Sequence, residues 1–415
     1  MKSNKPSVQL SNVNKEWEKI FLGEISEIKT GPFGSALHAK DYVVSGTPII
    51  TTEHFKTGEL PLYKAELPQV SNEDYKRLKS YRLKHGDLVF SRVGSVDINA
   101  LVTEAQSGWL FSGRVLRVRP IKNVDGSYLH YLLDTTLVKN DILSRAVGQT
   151  MPSINTEILK NTLIHSSTDV REQKKIGLFF KNLDDTISLH QQELDALKQA
   201  KQGFLQKMFP SKGQSVPEIR FKEFKDMWSY CKLNEISEKV KEKNVDNAYS
   251  ETLTNSAEFG IINQRDFFDK DISNKLNLYT YYVVQPDDFV YNPRISKLAP
   301  VGPIKRNKLG RAGVMSPLYY VFRIRNLDLT YLEYYFSTEK WHMFMKLNGD
   351  SGARSDRISI KDSIFSEMPI PLPSIEEQFK IGEFFKRLDE MIDLKEQELE
   401  ALKQTKKGFL QKMFV

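Results

Sequence analysis

The stretch from Glu172 to Phe209, EQKKIGLFFKNLDDTISLHQQELDALKQAKQGFLQKMF, returns as EQFKIGEFFKRLDEMIDLKEQELEALKQTKKGFLQKMF from Glu377 to Phe414. About 27 of the 38 positions are identical at a constant offset of 205. No other feature limits the fold as strongly, because the chain must place the same segment twice. Both copies predict one long helix. In the first, apolar residues fall at Ile176, Phe180, Leu183, Ile187, Leu194, Leu197, Phe204 and Met208. In the second they fall at Ile381, Phe385, Leu388, Ile392, Leu399, Leu402, Phe409 and Met413. Steps of four and three make each set an a/d seam. The seam is interrupted at matching places, His190/Lys395 and Lys201/Lys406. Polar seam residues cost stability but restrict the register in which two helices pair.

The helix starts also match. Asp169 stands three residues before Glu172, and Ser374 three before Glu377, which predicts N-caps with reciprocating carboxylates. Gly177 and Gly382 lie inside the helices, where each costs about 1 kcal/mol relative to Ala. Their recurrence predicts a close helix approach or a bend.

The segments between the helices repeat the same order loosely. Leu22-Gly23-Glu24-Ile25-Ser26-Glu27 is echoed by Leu233-Asn234-Glu235-Ile236-Ser237-Glu238, and Asp87–Phe90 with Arg92 by Asp288–Tyr291 with Arg294. Tyr128-Leu129-His130-Tyr131 returns as Tyr331-Leu332-Glu333-Tyr334, and Gly148-Gln149-Thr150 as Gly352-Ala353-Arg354. Short β-type runs are expected at Thr47–Thr52, Asp87–Phe90 and Arg114–Val118, and a helix at Ser127–Thr136. Residues 217–228 weakly resemble residues 6–17. The link into domain two thus has a counterpart at the N-terminus, as in a twofold ring cut open with Phe414 near Met1. The divisions are residues 1–168 (domain one), 169–210 (helix one), 211–373 (domain two) and 374–415 (helix two).

Composition excludes several classes. Cys231 stands alone, so neither an intramolecular disulfide nor a cysteine-based zinc site is available. The N-terminal MKSNKPSVQLSNVNKEW lacks an apolar core, so no signal peptide is expected. No apolar run is long enough to span a bilayer. A reduced, cytoplasmic protein is the default expectation. A net charge of +7 favours a polyanionic partner weakly. Catalytic motifs are missing: there is no Gly-x-x-x-x-Gly-Lys-Ser/Thr phosphate loop and no Gly-x-Ser-x-Gly elbow. Asn292-Pro293-Arg294-Ile295 lacks the second proline and aromatic of a base-flipping methyltransferase motif and reads as a turn. Pro286-Asp287-Asp288 reads as a turn leading into a strand rather than a nuclease carboxylate pair.

Binding chemistry is better represented. From Tyr291 to Arg311 there are six basic residues and no acidic one, which makes Tyr291, Arg294, Lys297, Lys305 and Arg306 candidates for DNA contact. Arginine can pair bidentately with guanine, and lysine neutralises phosphate. Arg354, Ser355 and Arg357 add a second polar loop. In the first half the candidates are Gly34, Ser35, Thr51, Thr52, Arg92, Ser95, Gln149, Thr150 and Ser153. Gln149 has the chemistry to read adenine, and Arg92 to read guanine or hold phosphate.

Two variable domains, each followed by a helix containing E-Q-x-K-I-G-x-F-F-K-x-L-D and G-F-L-Q-K-M-F, closely resemble the specificity subunit of a type I restriction–modification system. Gly31-Pro32-Phe33-Gly34-Ser35 is similar to a common opening of that family's target-recognition domains, although Lys241-Glu242-Lys243-Asn244 replaces it in domain two. The resemblance implies an α+β chain in which two mixed α/β target-recognition domains are separated by a pair of long antiparallel coiled-coil helices, with a pseudo-twofold internal repeat. It implies double-stranded DNA, two methyltransferase (modification) subunits and restriction/translocase subunits as partners, and no membrane. S-adenosylmethionine, ATP and Mg are expected on those partner subunits and none in this chain.

Chain order leads to the same arrangement. Domain two begins where helix one ends and finishes where helix two begins, so domains that stay apart require antiparallel helices. A helix of about 39 residues spans about 58 Å at 1.5 Å per residue, more than one DNA turn of about 34 Å. A split target with an unread gap follows, and divergent domains make its halves differ. A protein-recruiting scaffold and a self-contained nuclease or methyltransferase are the alternatives. A salt-dependent gel shift and a methyl-transfer assay on the lone chain separate them.

Overall fold

The computed structural model describes residues 17–32, 36–65, 67–267, 275–350 and 356–414. The chain divides into two compact units, residues 1–191 with 397–415, and residues 192–396. Two helices, Val170–Lys207 and Ile375–Met413, each contribute to both units.

Each unit is built on an antiparallel four-stranded sheet of the same strand order. In the first unit the order is Ser26–Thr30, Val115–Pro120, Leu88–Ser91, Asn99–Leu101. In the second it is Ser237–Lys239, Tyr320–Ile324, Phe289–Tyr291, Ile304–Arg306. A strand pair precedes each long helix: Glu18–Phe21 with Leu163–Ser166, and Ser229–Lys232 with Pro369–Leu372. The second pair tolerates Pro369 and Pro371 because an isolated two-stranded ribbon needs only one row of donors. The expected runs at Thr47–Thr52, Asp87–Phe90 and Arg114–Val118 form strands at Thr47–Ile50, Leu88–Ser91 and Val115–Pro120. The helix expected at Ser127–Thr136 spans Gly126–Leu133.

Asp87 and Asp288 are buried structural anchors. Asp87 accepts two hydrogen bonds from Arg119, each 2.7 Å, and Asp288 accepts two from Arg323 at 2.7 and 3.0 Å. Each also caps the turn before its strand, through Lys84 N–H and Gln285 N–H, both at 2.8 Å. This gives Asp288 the role of a turn anchor leading into its strand, as expected of Pro286-Asp287-Asp288.

The long helices hold their units through the residues they share. Gln173 accepts from Asp125 N–H at 2.9 Å and donates to the Ser167 carbonyl at 2.7 Å. Gln378 makes the same two bonds with Asp328 N–H and the Pro373 carbonyl, at 3.1 and 2.9 Å. Asp125 and Asp328 in turn cap the helices Gly126–Leu133 and Leu329–Phe336. The N-caps of the long helices form as expected: Asp169 accepts from Arg171 N–H at 2.8 Å and Ser374 from Glu377 N–H at 3.3 Å. The carboxylates differ from expectation. Glu172 is engaged by the Ser167 hydroxyl, and Glu377 by Arg220 in a bidentate pair at 2.7 Å and by the Trp228 indole at 3.1 Å. Both are buried, and a buried carboxylate needs strong donors from the fold around it.

Gly177 and Gly382 mark a close approach. A Cβ at Gly177 would stand 2.8 Å from Tyr128 N, and one at Gly382 3.0 Å from Asp328 Oδ1. The two should respond differently to alanine. Better helix propensity returns about 1 kcal/mol at either site, while overpacking costs about 1–3 kcal/mol. Gly177→Ala meets unyielding backbone and is expected to lose about 1 kcal/mol net, whereas Gly382→Ala stays near neutral. Urea unfolding of both variants checks this. Equal losses would mean that the approach distances do not decide the cost.

Among the described residues, no helix is long and apolar enough to cross a membrane.

Candidate nucleic-acid interface

The frame of each unit is the same set of contacts written twice. In the first unit Tyr131 donates to Asp184 at 2.8 Å, Lys406 pairs with Asp184 at 2.6 Å, and Lys406 lies over the Tyr131 ring. In the second, Tyr334 donates to Asp389 at 2.7 Å, Lys201 pairs with Asp389, and Lys201 lies over the Tyr334 ring. The other seam interruption behaves alike: Glu398 stands 3.6 Å from His190 and Glu193 3.0 Å from Lys395. Phe179 meets Phe409 at 5.1 Å between ring centroids, and Phe204 meets Phe384 at 5.0 Å. In these pairs one helix's numbers rise as the other's fall, so the helices run antiparallel within each unit. Every predicted seam side chain is buried or half-buried. Of the four polar seam positions, Lys201, Lys395 and Lys406 are therefore ion-paired crossings, and His190 faces Glu398.

Phe414 packs against Trp17, Tyr128 and Phe180 at centroid separations of 5.9, 5.7 and 5.8 Å. Phe209 packs against Tyr331, Tyr335 and Phe385 at 5.5, 5.9 and 6.1 Å. Each unit's core is thus completed by the end of the long helix that starts in the other unit. Met1, expected beside Phe414, lies outside the described residues.

On this frame each sheet carries a cleft at an equivalent place. In the first unit, Thr52, Ser95, Arg114 and Met151 line a cleft of about 200 Å3. Arg92 anchors the surrounding loops: its N–H donates to the Arg114 carbonyl and its carbonyl accepts from Ile154 N–H, both at 2.9 Å. Thr51 N–H is held by His54 Nδ1 at 3.1 Å, and burial pushes that imidazole below its ordinary pKa. Ser153 bridges Val93 and Val147, which joins the Gly148–Ser153 loop to Arg92–Ser95. Gln149 and Thr150 are exposed at the tip of that loop.

In the second unit a cleft of about 540 Å3 is lined by Asn255, Ser256, Arg294, Leu298, Leu318 and Arg357, among others. Arg294 bridges Arg357 as Val93 bridges Ser153 in the first unit. Asn292 Oδ1 accepts from Arg294 N–H at 3.0 Å, the side-chain turn expected of Asn-Pro-Arg.

The six basic residues between Tyr291 and Arg311 do not form one patch. Arg306, 17% exposed, pairs with Asp287 at 2.6 Å and faces Glu333 at 3.6 Å. Lys308 pairs with Glu333 at 3.0 Å, and Arg311 forks onto Glu251 at 2.8 Å. Burial pulls the Lys305 ammonium below its ordinary pKa, against a partial counter-pull from Glu333. Arg294 is different: it is 64% exposed, with Asp356 no closer than 3.8 Å. Lys297 is also exposed. Tyr291 belongs to the core, with its ring stacked on Phe365 at 4.9 Å and its hydroxyl donating to the Val301 carbonyl at 3.1 Å. Burial pushes that phenol up. Gly34, Ser35, Arg354 and Ser355 lie outside the described residues. The cleft residues Arg114, Met151, Asn255, Leu298 and Leu318 carry no local sequence signal, since segments far apart in the chain bring them together.

Comparison with known proteins decides what this duplicated frame is. A family model described as the type I restriction modification DNA specificity domain matches residues 14–199 and again 225–404. The chain belongs to this family. Its members are the non-catalytic DNA-recognition subunits of type I restriction–modification systems. This specificity subunit is 28% identical to the MjaX specificity subunit of Methanocaldococcus jannaschii, over 98% of this chain and 95% of that one. It is 24% identical to the MjaVIII specificity subunit of the same organism, over 96% and 92%. The S subunit of a type I system from M. genitalium shares the fold at a TM-score of 0.57, with 12% identity and 99% of each chain covered.

Proposed function

We propose that this specificity subunit binds a bipartite, asymmetric duplex target, with domain one (residues 1–168) reading one half and domain two (residues 211–373) the other. The two long helices act as a coiled-coil spacer related by a pseudo-twofold axis. The observation that carries this reading is the contrast between frame and loops. The Tyr–Asp–Lys triads, the Gln bonds and the closing phenylalanines are the same in both units. The residues around the two clefts are different. A frame built identically for different surfaces suits an assembly that presents two readings to identical neighbours.

Those neighbours are two methyltransferase subunits carrying S-adenosylmethionine, which methylate an adenine in each half-site. Restriction/translocase subunits bring ATP and Mg. The chain's part is recognition: exposed cations of the Arg294 kind neutralise phosphate or pair with base edges. The test is to replace residues 1–168 with the corresponding domain of a relative, supply the methyltransferase partner, and map the modified adenines. One half-site should change and the other persist. Two altered halves, or none, would defeat the assignment of one reader to each half.

A further inference from the structure

The cleft of the second unit mixes two chemistries. Leu298 and Leu318, 70% and 60% exposed, line the same cleft as Arg294 and Arg357. The cleft of the first unit also holds both, Met151, 64% exposed, and Arg114, but from other positions of the frame: the register that matches Arg119 to Arg323 matches Arg114 to Leu318. A single exposed apolar side chain is ordinary. Both clefts nonetheless hold exposed apolar side chains together with guanidinium groups, drawn from different positions of the shared frame.

The ligand must offer both apolar and hydrogen-bonding groups. A phosphodiester offers a leucine nothing. The major-groove edge of an A·T pair offers the thymine C5 methyl next to hydrogen-bonding atoms, and a neighbouring G·C pair offers the two acceptors that arginine forks onto. The arginines here are free enough to turn: Asp356 holds Arg294 only at 3.8 Å and Arg357 only at 4.0 Å, whereas Arg311 is locked in a fork at 2.8 Å. We propose that Leu298 and Leu318 are specificity-determining residues that seat the 5-methyl group of a thymine in the half-site read by domain two. Arg294 and Arg357 face the adjoining base-pair edges. This rests on the two-reader function and adds the chemistry of one half-site.

The experiment uses the full chain assembled with its methyltransferase partner, on the duplex found by adenine mapping. Each thymine of the domain-two half-site is replaced in turn by deoxyuridine, which removes only the methyl. At one position the change should weaken binding about fourfold, the equivalent of about 0.8 kcal/mol for one buried methyl-sized group. The Leu298→Ala/Leu318→Ala variant should bind thymine and deoxyuridine duplexes equally, while its response to the other half-site stays that of the wild type. Both leucines are exposed, so the variant is expected to fold. A half-site without thymine, or a variant that still discriminates the methyl, overturns the inference. Specific binding without methyl discrimination sinks this inference alone. Loss of any half-site assignment in the domain exchange sinks the two-reader function instead.

Discussion

Replacing Met413 and Phe414 with alanine is expected to open the first unit while leaving the second protected. Both side chains are buried in the first unit's core, beside Trp17, Tyr128 and Phe180. Truncating a core phenylalanine costs about 3–5 kcal/mol and a core methionine about 2–5. The two are neighbours, so the losses will not add exactly. Even the lower sum is a large share of a stability of about 5–15 kcal/mol. Hydrogen exchange reads the outcome by segment. Protection should fall in Leu88–Ser91 and Val115–Pro120 and persist in Phe289–Tyr291 and Tyr320–Ile324. Met208→Ala with Phe209→Ala should do the reverse, because those side chains complete the second core. A uniform loss from either pair would mean that the units do not unfold separately.

What could be read from the sequence was what depends on local periodicity or on repetition. The seam residues, the glycines and the echoed strands are of that kind, because a helix or strand writes its buried face into its own spacing. Partners far apart in the chain were not legible. Arg306 and Lys308 stand in a run without acids, so they resemble a free basic patch. Their counter-charges, Asp287 and Glu333, arrive from a turn and a helix elsewhere. Tyr291 heads the basic run and reads as a DNA contact, yet it ends a fully buried strand. Glu172 and Glu377 fit a local capping pattern, but their burial brings in Ser167, Arg220 and Trp228. The clefts share this limit. Ser95 and Met151 are neighbours only because a bridge from Val93 to Ser153 folds one loop onto the other.

Under the proposed two-reader function, lengthening the two helices together should widen the gap between the two half-sites without changing either of them. Each helix passes from one unit to the other at a definite point, Gln191/Gln192 in the first and Glu396/Gln397 in the second. One heptad inserted at each point leaves the contacts inside both units intact, including Lys406–Asp184 in one and Lys201–Asp389 in the other. Seven residues also preserve the a/d phase, so the seam continues. The insertion adds about 10.5 Å at 1.5 Å per residue, or about 3 bp of duplex at 34 Å per turn. The added twist, roughly 100° for 3 bp at about 10.5 bp per turn, will lower affinity where the readers must face the groove together. A four-residue insertion is the control. It breaks the heptad phase, so assembly with the methyltransferase should weaken instead of the gap moving. Mapping of modified adenines on a library of random spacer lengths reports the preferred gap directly. A heptad variant that still selects the original spacing would refute the spacer role of the helices, because its readers would then be set by something other than helix length.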